Sequence, residues 1–293
     1  MDLVVWACPV CGSALEEPAS GLVCPAEGRR FRTLGGLPVL LRPDEELLLQ
    51  DAEAHAAAWK RDRLAPARDR IADLPYVSGT AWRQKARSLQ ALLRLMGPPR
   101  GRRVVDMGAG TGWLSRRLSE KGFRCYAVDL SADTEVGLGA ADAPNGEHAF
   151  ERAIGALERW PLRDGSLDVA ICNASLHYLA DVEQAISEAA RVLHLHGVFF
   201  AMNDPVHVDS ESAARASHDF KNRLFREGGR GRLIERHHHF VASELEATLR
   251  KHFAQVTRQD PDYGVRFRVV RAVKSLALGM ELASFPIYIA RRG

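Results

Sequence analysis

Residues Val104 to Leu114 read VVDMGAGTGWL, an apolar run that closes on an aspartate and then on glycines at positions 108, 110 and 112. The apolar run predicts a buried strand, and GWLSRRLSEKG after it predicts a helix that ends at Gly122. Glycine at such a turn admits positive φ and lets a ligand approach the main chain. Free N–H groups at the helix start can then receive a polar or anionic group. Ligands of open α/β sheets gather outside the C-terminal ends of the strands, so this turn is the first place to look for one.

The spacing excludes two common occupants. A dinucleotide fingerprint, G-x-G-x-x-G, needs its third glycine where Trp113 stands, and a P-loop needs a lysine that does not follow Gly112. What remains is D-x-G-x-G-x-G, with Asp106 at the strand end. A carboxylate there suits a ligand with an amine or a positive charge better than a pyrophosphate. Asp129 closes the next apolar run, RCYAVDLS, where an acidic side chain can accept two hydrogen bonds from ribose hydroxyls. The plain alternative is an ordinary strand-to-helix turn with Asp106 and Asp129 as caps.

Outward from this turn the strand and helix patterns alternate. AFERAIG reads as a weak third strand, SLDVAICNA as a strong fourth and GVFFAMND as a fifth. Between the last two, DVEQAISEAARVLHLHG places Val182, Ala185, Ile186, Ala189, Ala190 and Leu193 on one face and predicts a helix stopping at Gly197. SELEATLRKHF adds a helix, and AQVTRQD and PIYIARR add strands. Such alternation predicts an α/β fold, a mainly parallel sheet with helices on both faces. The boundaries follow from texture: a β-rich module over 1–43 and a helical connector over 44–100, broken near Pro66, Pro75 and Gly79. Its last helix covers about Thr80 to Leu95, and the main domain spans 101–293.

The 293 residues are 46% hydrophobic and 26% charged, ordinary for a globular protein, and the net charge of +3 is too small to argue for nucleic acid. No window approaches the roughly 18 apolar residues of a membrane span, and the first ten residues lack a secretory pattern. Five cysteines, three of them within the first 24 residues, fit a metal cluster in a reducing cytoplasm better than a disulfide framework.

With these residues in view, VVDMGAGTGWLSRRLSEKGFRCYAVDLS and PLRDGSLDVAICNASLHYL resemble the class I S-adenosylmethionine-dependent methyltransferases, those of type 11 in particular. The resemblance runs over 103–293. It implies a Rossmann-like seven-stranded sheet with an antiparallel last strand, and a methyl donor across the ends of the first, second and fourth strands. The cofactor residues it implies are Asp106, Gly108, Ala109, Gly110, Gly112, Asp129, Leu130, Ala156, Leu157 and Asn173. One departure stands out: many members place an adenine-contacting aspartate where this chain has Ala156. Backbone at Ala156 and Leu157, packing or another polar group then has to hold adenine.

Cys8-Pro-Val-Cys11 followed by Cys24 has zinc-ribbon spacing, and Glu27 stands where the fourth cysteine is expected. The surroundings resemble the degenerate zinc ribbon (Trm112-like) at the N-terminus of some methyltransferases. Glu27 as an oxygen ligand, a histidine from elsewhere, or a ribbon that has lost its metal are the three readings. Cys125 and Cys172 sit in apolar strands and read as core.

Methyl transfer needs alignment of donor and acceptor, and a base only if the acceptor has a proton to lose. Candidates are Asn173, His177 and Tyr178 after the fourth strand, Asn203, Asp204 and His207 after the fifth, and the run His237-His238-His239. His177 and Asp204 are the catalytic assignments, although a histidine in such a loop more often shapes a pocket. A basic insertion from Arg215 to Arg236, with Lys221, Arg223, Arg226, Arg230 and Arg232 against Asp219, Glu227 and Glu235, reads as a lid. A second insertion mixes Arg266, Arg268, Arg271 and Lys274 with apolar residues; two solvated helix faces are the alternative. The expectation is therefore a cytoplasmic methyltransferase acting on a small or lipid-linked, anionic metabolite. The rivals are an RNA-base methyltransferase, disfavoured by charge and by Asn173-Ala174-Ser175-Leu176 in place of Asn-Pro-Pro-aromatic, and a non-catalytic protein that kept the fold.

Overall fold

The computed structural model describes residues 1–19, 21–61, 68–141, 150–226, 231–279 and 281–293. Pro66, Ala149, Glu227 and Arg230, named above, lie outside the described residues, as does the side chain of Arg266. The N-terminal module is two tiny antiparallel ladders, β1 (Val23–Cys24) with β2 (Arg29–Arg30) and β3 (Thr33–Leu34) with β4 (Leu37–Pro38). The connector forms α1 (Leu47–Arg61), a 3-10 segment (Arg68–Asp73) and α2 (Thr80–Met96), the last as its apolar spacing predicts. Leu89, Leu92 and Met96 carry the buried stripe of α2.

The main domain follows in order: β5 (Arg103–Met107), α3 (Trp113–Ser119), β6 (Arg124–Asp129), β7 (Glu151–Ile154), β8 (Leu167–Asn173), α4 (Val182–Val192) and β9 (Leu193–Met202). Beyond β9 lie β10 (Val206–His207), α5 (Ser210–Arg226), α6 (Arg232–Arg236), β11 (Phe240–Val241), α7 (Ala242–His252), β12 (Gln255–Gln259), α8 (Val265–Leu278) and β13 (Ile287–Arg291). Seven strands make one sheet in the order β12-β13-β9-β8-β5-β6-β7, with β13 antiparallel to both neighbours and the remaining pairs parallel. The chain winds from β5 toward β7, then returns to build β8 and β9 on the other side. This places a switch point, where ligands of such sheets bind, between β5 and β8.

One boundary differs from the sequence reading. The helix expected to run to Gly197 ends at Val192, and the chain enters β9 at once. Leu193 pairs with Leu167, and a register shift between Leu167 and Val169 takes up the extra residues. The His194 ring holds Asp168 at 2.8 Å, so His194 is a strand-edge residue and not a helical one.

Both sheet faces are covered. Trp6, Leu15 and Cys24 of the N-terminal module share one core with Val105, Tyr126 and Trp160, so the module buries its apolar side against the sheet. Main-chain bonds stitch the two together: Ala7 N–H to Pro161 O (3.0 Å), Arg163 N–H to Val5 O (2.8 Å) and Leu40 N–H to Ile154 O (2.8 Å). The opposite core joins Leu89 and Leu92 of α2 to Val104, Leu114 and Ile171. A third, small cluster of Ala58, Leu224 and Ile234 binds α1 to α5 and α6, which together cap the C-terminal strand ends.

Candidate active site

The glycine turn is held from below. Gly108 and Ala109 donate to Val128 O at 2.8 and 3.1 Å, and Gly108, Gly110 and Gly112 have φ of 71°, 54° and 69°. Two of these glycines are also forced by space. A Cβ on Gly108 would meet Cβ of Ser175 at 2.4 Å, and one on Gly112 would meet the Phe150 ring at 2.7 Å. Asp129 clamps the turn: Oδ2 accepts Gly110 N–H at 2.8 Å and Oδ1 accepts Ser131 N–H at 2.9 Å. Each oxygen can accept a further hydrogen bond, and Asp129 lines a cavity of about 250 Å³. Burial raises the pKa of this carboxyl, and the backbone N–H bonds oppose the rise.

Of the residues assigned to the cofactor from the sequence, Gly108, Ala109, Gly110, Asp129, Leu130, Leu157 and Asn173 line that cavity. Asp106, Gly112 and Ala156 are buried and do not line it. Asp106 is 1% exposed and accepts Ser115 Oγ–H at 3.0 Å, while its other oxygen is buried without a partner. Burial pushes it up to about 7. It braces β5 against α3, and its orphaned oxygen leaves one acceptor available behind the turn. Two wall residues escaped the sequence reading. Thr111 has a buried hydroxyl with no partner, and Glu158, two residues past Ala156, brings a carboxylate to the stretch expected to contact adenine. Open acceptors at Asp129 and Glu158, with an orphaned hydroxyl between glycines, fit a ribose, an adenine amino group and a charged amino-acid tail.

The other end of the cavity is built from the cap and the loop after β8. His177 Nδ1 lies 2.6 Å from Asp204 Oδ1, with both side chains buried. His177 lines the cavity; Asp204 stands behind it. Leu48, Ala52, His55, Ala56 and Trp59 of α1, and Trp82 and Lys85 of α2, complete the wall with Leu233 and Arg236 of α6. The α1 positions fall at helical spacing, a stripe in which His55 and Trp59 replace aliphatics. Burial pushes His55 down to about 4 and holds His237 far below the ordinary histidine range, so both rings are neutral near pH 7. His237 packs 4.8 Å from the His177 ring and stacks on Phe220 at 3.8 Å, so it backs His177, and none of the three consecutive histidines lines the cavity itself.

Two cations line the cavity with no hydrogen bond or ion pair to a carboxylate among the described residues: Lys85, which sits 4.7 Å over the Trp82 ring and is pushed down to about 8 by burial, and Arg236. Asn203, with φ of 61°, donates to Asn173 Oδ1 at 2.8 Å and accepts from Ser88 at 2.7 Å, tying the ends of β8 and β9 to α2. His207 bonds His239 at 2.9 Å and does not line the cavity.

Away from this cavity, Cys8, Cys11 and Cys24 bring their sulfurs within 4.8 Å of one another. Three thiols so placed fit three corners of a zinc tetrahedron, whose charge would ionise them. Cys8, pushed up to about 11 by burial, needs such a cation to ionise near neutral pH. Glu27 is not gathered with them. It stands exposed in the tight turn closed by Gly28 N–H on Pro25 O.

Together the sheet order, the glycine turn and the Asp129 clamp give the fold of the class I S-adenosylmethionine-dependent methyltransferases, preceded here by a zinc-ribbon-like module. Residues 105–201 match the family model described as "Methyltransferase domain". The chain is 32% identical over 165 residues to a malonyl-(acyl-carrier protein) O-methyltransferase of Geobacter sulfurreducens, covering 55% of this chain and 58% of that protein. It is 31% identical over 153 residues to the protein of the same name from Pectobacterium atrosepticum, covering 52% and 54%. The chain thus spans little more than half the length of these curated relatives. Among solved structures, its fold is similar to a chain of the complex between the Haloferax volcanii Trm112 methyltransferase activator and a methyltransferase. That likeness has a TM-score of 0.55 at 17% identity, over 83% of this chain and 96% of that one. YcgJ of Bacillus subtilis follows at 0.51 and 21% identity, over 70% and 97%.

Proposed function

We propose that this chain transfers the sulfonium methyl group of S-adenosylmethionine to a small or lipid-linked acceptor that carries an anionic group and reacts at a proton-bearing oxygen or nitrogen. Asp129 and Glu158 hold the nucleoside, and Asn173 and the glycine turn hold the amino-acid end. Lys85 and Arg236 take the anionic group. The observation that carries this reading is the buried His177–Asp204 pair at 2.6 Å, with His177 in the wall of the same cavity and Asp204 behind it. Such a pair is a general base held in one tautomer by its carboxylate.

The names of the curated relatives favour a second reading, an acceptor carboxylate on a carrier, for which Lys85 and Arg236 are also suited. O-methylation of a carboxylate releases no proton, so the two readings part at His177. With a proton-bearing acceptor, His177→Ala and Asp204→Asn lower kcat by about 10²-fold or more while the Kd for S-adenosylmethionine stays within about threefold. Turnover by His177→Ala at the parent rate removes the base and favours the carboxylate. Absence of micromolar S-adenosylmethionine binding by calorimetry rejects both. A salt-steep affinity for RNA would instead support the nucleic-acid rival.

A further inference from the structure

Helix α8 (Val265–Leu278) is an insertion before the last strand, and the methyl-transfer reading makes no use of it. None of its described side chains is buried. It touches the body along the flank that carries Phe267 and Arg271. Phe267 packs on Tyr263 with ring centroids 4.9 Å apart, the Tyr263 hydroxyl donates to Phe285 O at 2.6 Å, and Arg271 donates to Leu282 O at 2.6 Å. Phe267 and Arg271 are one turn apart, so they define the inward face. Val265, Val269, Val273 and Leu276 recur at the same spacing on the outward face. They are 66%, 55%, 62% and 86% exposed, and Val270 beside them is 45% exposed. Isolated exposed aliphatics need no explanation, but five on one helical face form a patch that water does not favour.

The charges around the stripe select its occupant. Residues 264 to 279 contain no aspartate or glutamate and four cations. Arg271 is engaged by Glu281 at 3.2 Å, whereas Arg268 and Lys274 are exposed and have no carboxylate partner among the described residues. On a helical projection Arg268 borders the aliphatic patch beside Val265, and Lys274 borders it beyond Val270, next to the inward face. A protein-binding face usually carries aromatic anchors and a polar rim of both signs. This one is aliphatic, ungrooved and flanked by one sign of charge, which is the pattern of a helix lying in a bilayer interface among anionic headgroups. At 1.5 Å per residue the helix is about 21 Å long, suited to lying in the surface plane and too short to cross it.

We propose that α8 docks this protein on an anionic lipid surface, with Val265, Val269, Val273 and Leu276 entering the headgroup boundary and Arg268 and Lys274 pairing with lipid phosphates. The proposal does not depend on the identity of the methyl acceptor.

The test is co-flotation of the full chain with vesicles of phosphatidylcholine alone and of phosphatidylcholine with about a third phosphatidylglycerol, at about 0.1 M salt. The expected result is partition onto the anionic vesicles and little onto the neutral ones. Arg268→Ala with Lys274→Ala should weaken that partition about 30-fold, from about fivefold per cation. Val269→Asp with Val273→Asp should abolish it, with the melting temperature unchanged because both sites are exposed. Failure to float with either vesicle overturns the proposal. So does equal binding to both vesicles. A concentration-dependent dimer that the same aspartate pair dissolves, without vesicle binding, assigns the face to a second copy and also overturns it.

Discussion

Asp129→Asn separates a clamp from a mere cap. In the parent, one carboxylate oxygen takes Gly110 N–H and the other takes Ser131 N–H, leaving acceptor positions on both for the cofactor. An amide has one acceptor oxygen and one NH₂, so one of the two backbone N–H groups must face a donor. An unsatisfied N–H costs about 1–3 kcal/mol, which appears as lost stability and a looser turn. The ligand loses separately: two hydroxyl bonds to a charged acceptor become bonds to a neutral group or vanish, at about 1 kcal/mol each. The sum of about 2 kcal/mol is about a 30-fold weaker Kd. Calorimetry with S-adenosylmethionine and S-adenosylhomocysteine reads the affinity, and a urea melt reads the stability. Both ligands should weaken together, since the ribose is common to them. A variant that binds both within threefold of the parent, with its fold intact, would refute the placement of the nucleoside on Asp129.

Three further outcomes follow from the same geometry. Burial raises Asp106 from the ordinary 3.8 to about 7, so its contribution to the stability of the free protein is fully present below about pH 4 and lost as pH climbs through about 7. Relative to Asp106→Asn, the parent should lose up to about 4 kcal/mol between pH 4 and 8 in paired denaturation curves; parallel curves would contradict the burial argument. Gly108→Ala adds a methyl group at φ 71° and 2.4 Å from Ser175 Cβ, and should cost about 2–5 kcal/mol in stability, with a loss under about 1 kcal/mol counting against the packing reading. The purified protein should carry about one zinc per chain by elemental analysis, lost in Cys8→Ser and unaffected in Glu27→Ala; zinc loss in Glu27→Ala would restore that residue as a ligand.

The sequence exposes what is local. Glycines at 108, 110 and 112, the apolar run before them and Asp129 one strand later are neighbours in the chain, and their spacing reports backbone geometry directly. The same logic does not tell which motif residues line the cavity, because a motif names positions and not the direction a side chain takes. Asp106 turns under the strand toward Ser115, and Gly112 is required by the Phe150 ring. The end of α4 at Val192 was hidden because LHLH carries apolar residues compatible with either period, and strand pairing with Leu167 decided it. The acceptor end was least legible. Trp59, Lys85 and Arg236 come from two connector helices and an insertion, and they meet only because Ala58, Leu224 and Ile234 pack α1 onto α5 and α6. A His and a Trp within the helical stripe of α1 were the signal available.

The charge flow of the reaction bears on the acceptor. A proton-bearing nucleophile attacks the methyl carbon, the carbon–sulfur bond breaks with its electrons going to sulfur, and the cationic sulfonium becomes a neutral thioether. The positive charge leaves with the proton. In this cavity the destination that a carboxylate backs is His177, whose Nδ1 already faces the Asp204 carboxylate at 2.6 Å. The imidazolium would form beside an anion oriented before the reaction begins, so little rearrangement is needed to stabilise it. Asp204 also keeps an oxygen buried without a partner, a cost that a neutral histidine does not offset and an imidazolium does. For an anionic carboxylate nucleophile the same Asp204 would be a buried like charge behind the reacting group, with no incoming proton to balance it. Of the cations that would welcome a carboxylate, Lys85 belongs to α2, whereas Arg236 ends α6 beside His237, whose ring packs on His177. The proton balance at His177 and Asp204 therefore favours an acceptor whose hydroxyl or amine meets the methyl group at His177, with Lys85 and Arg236 available to an anionic group of the same acceptor.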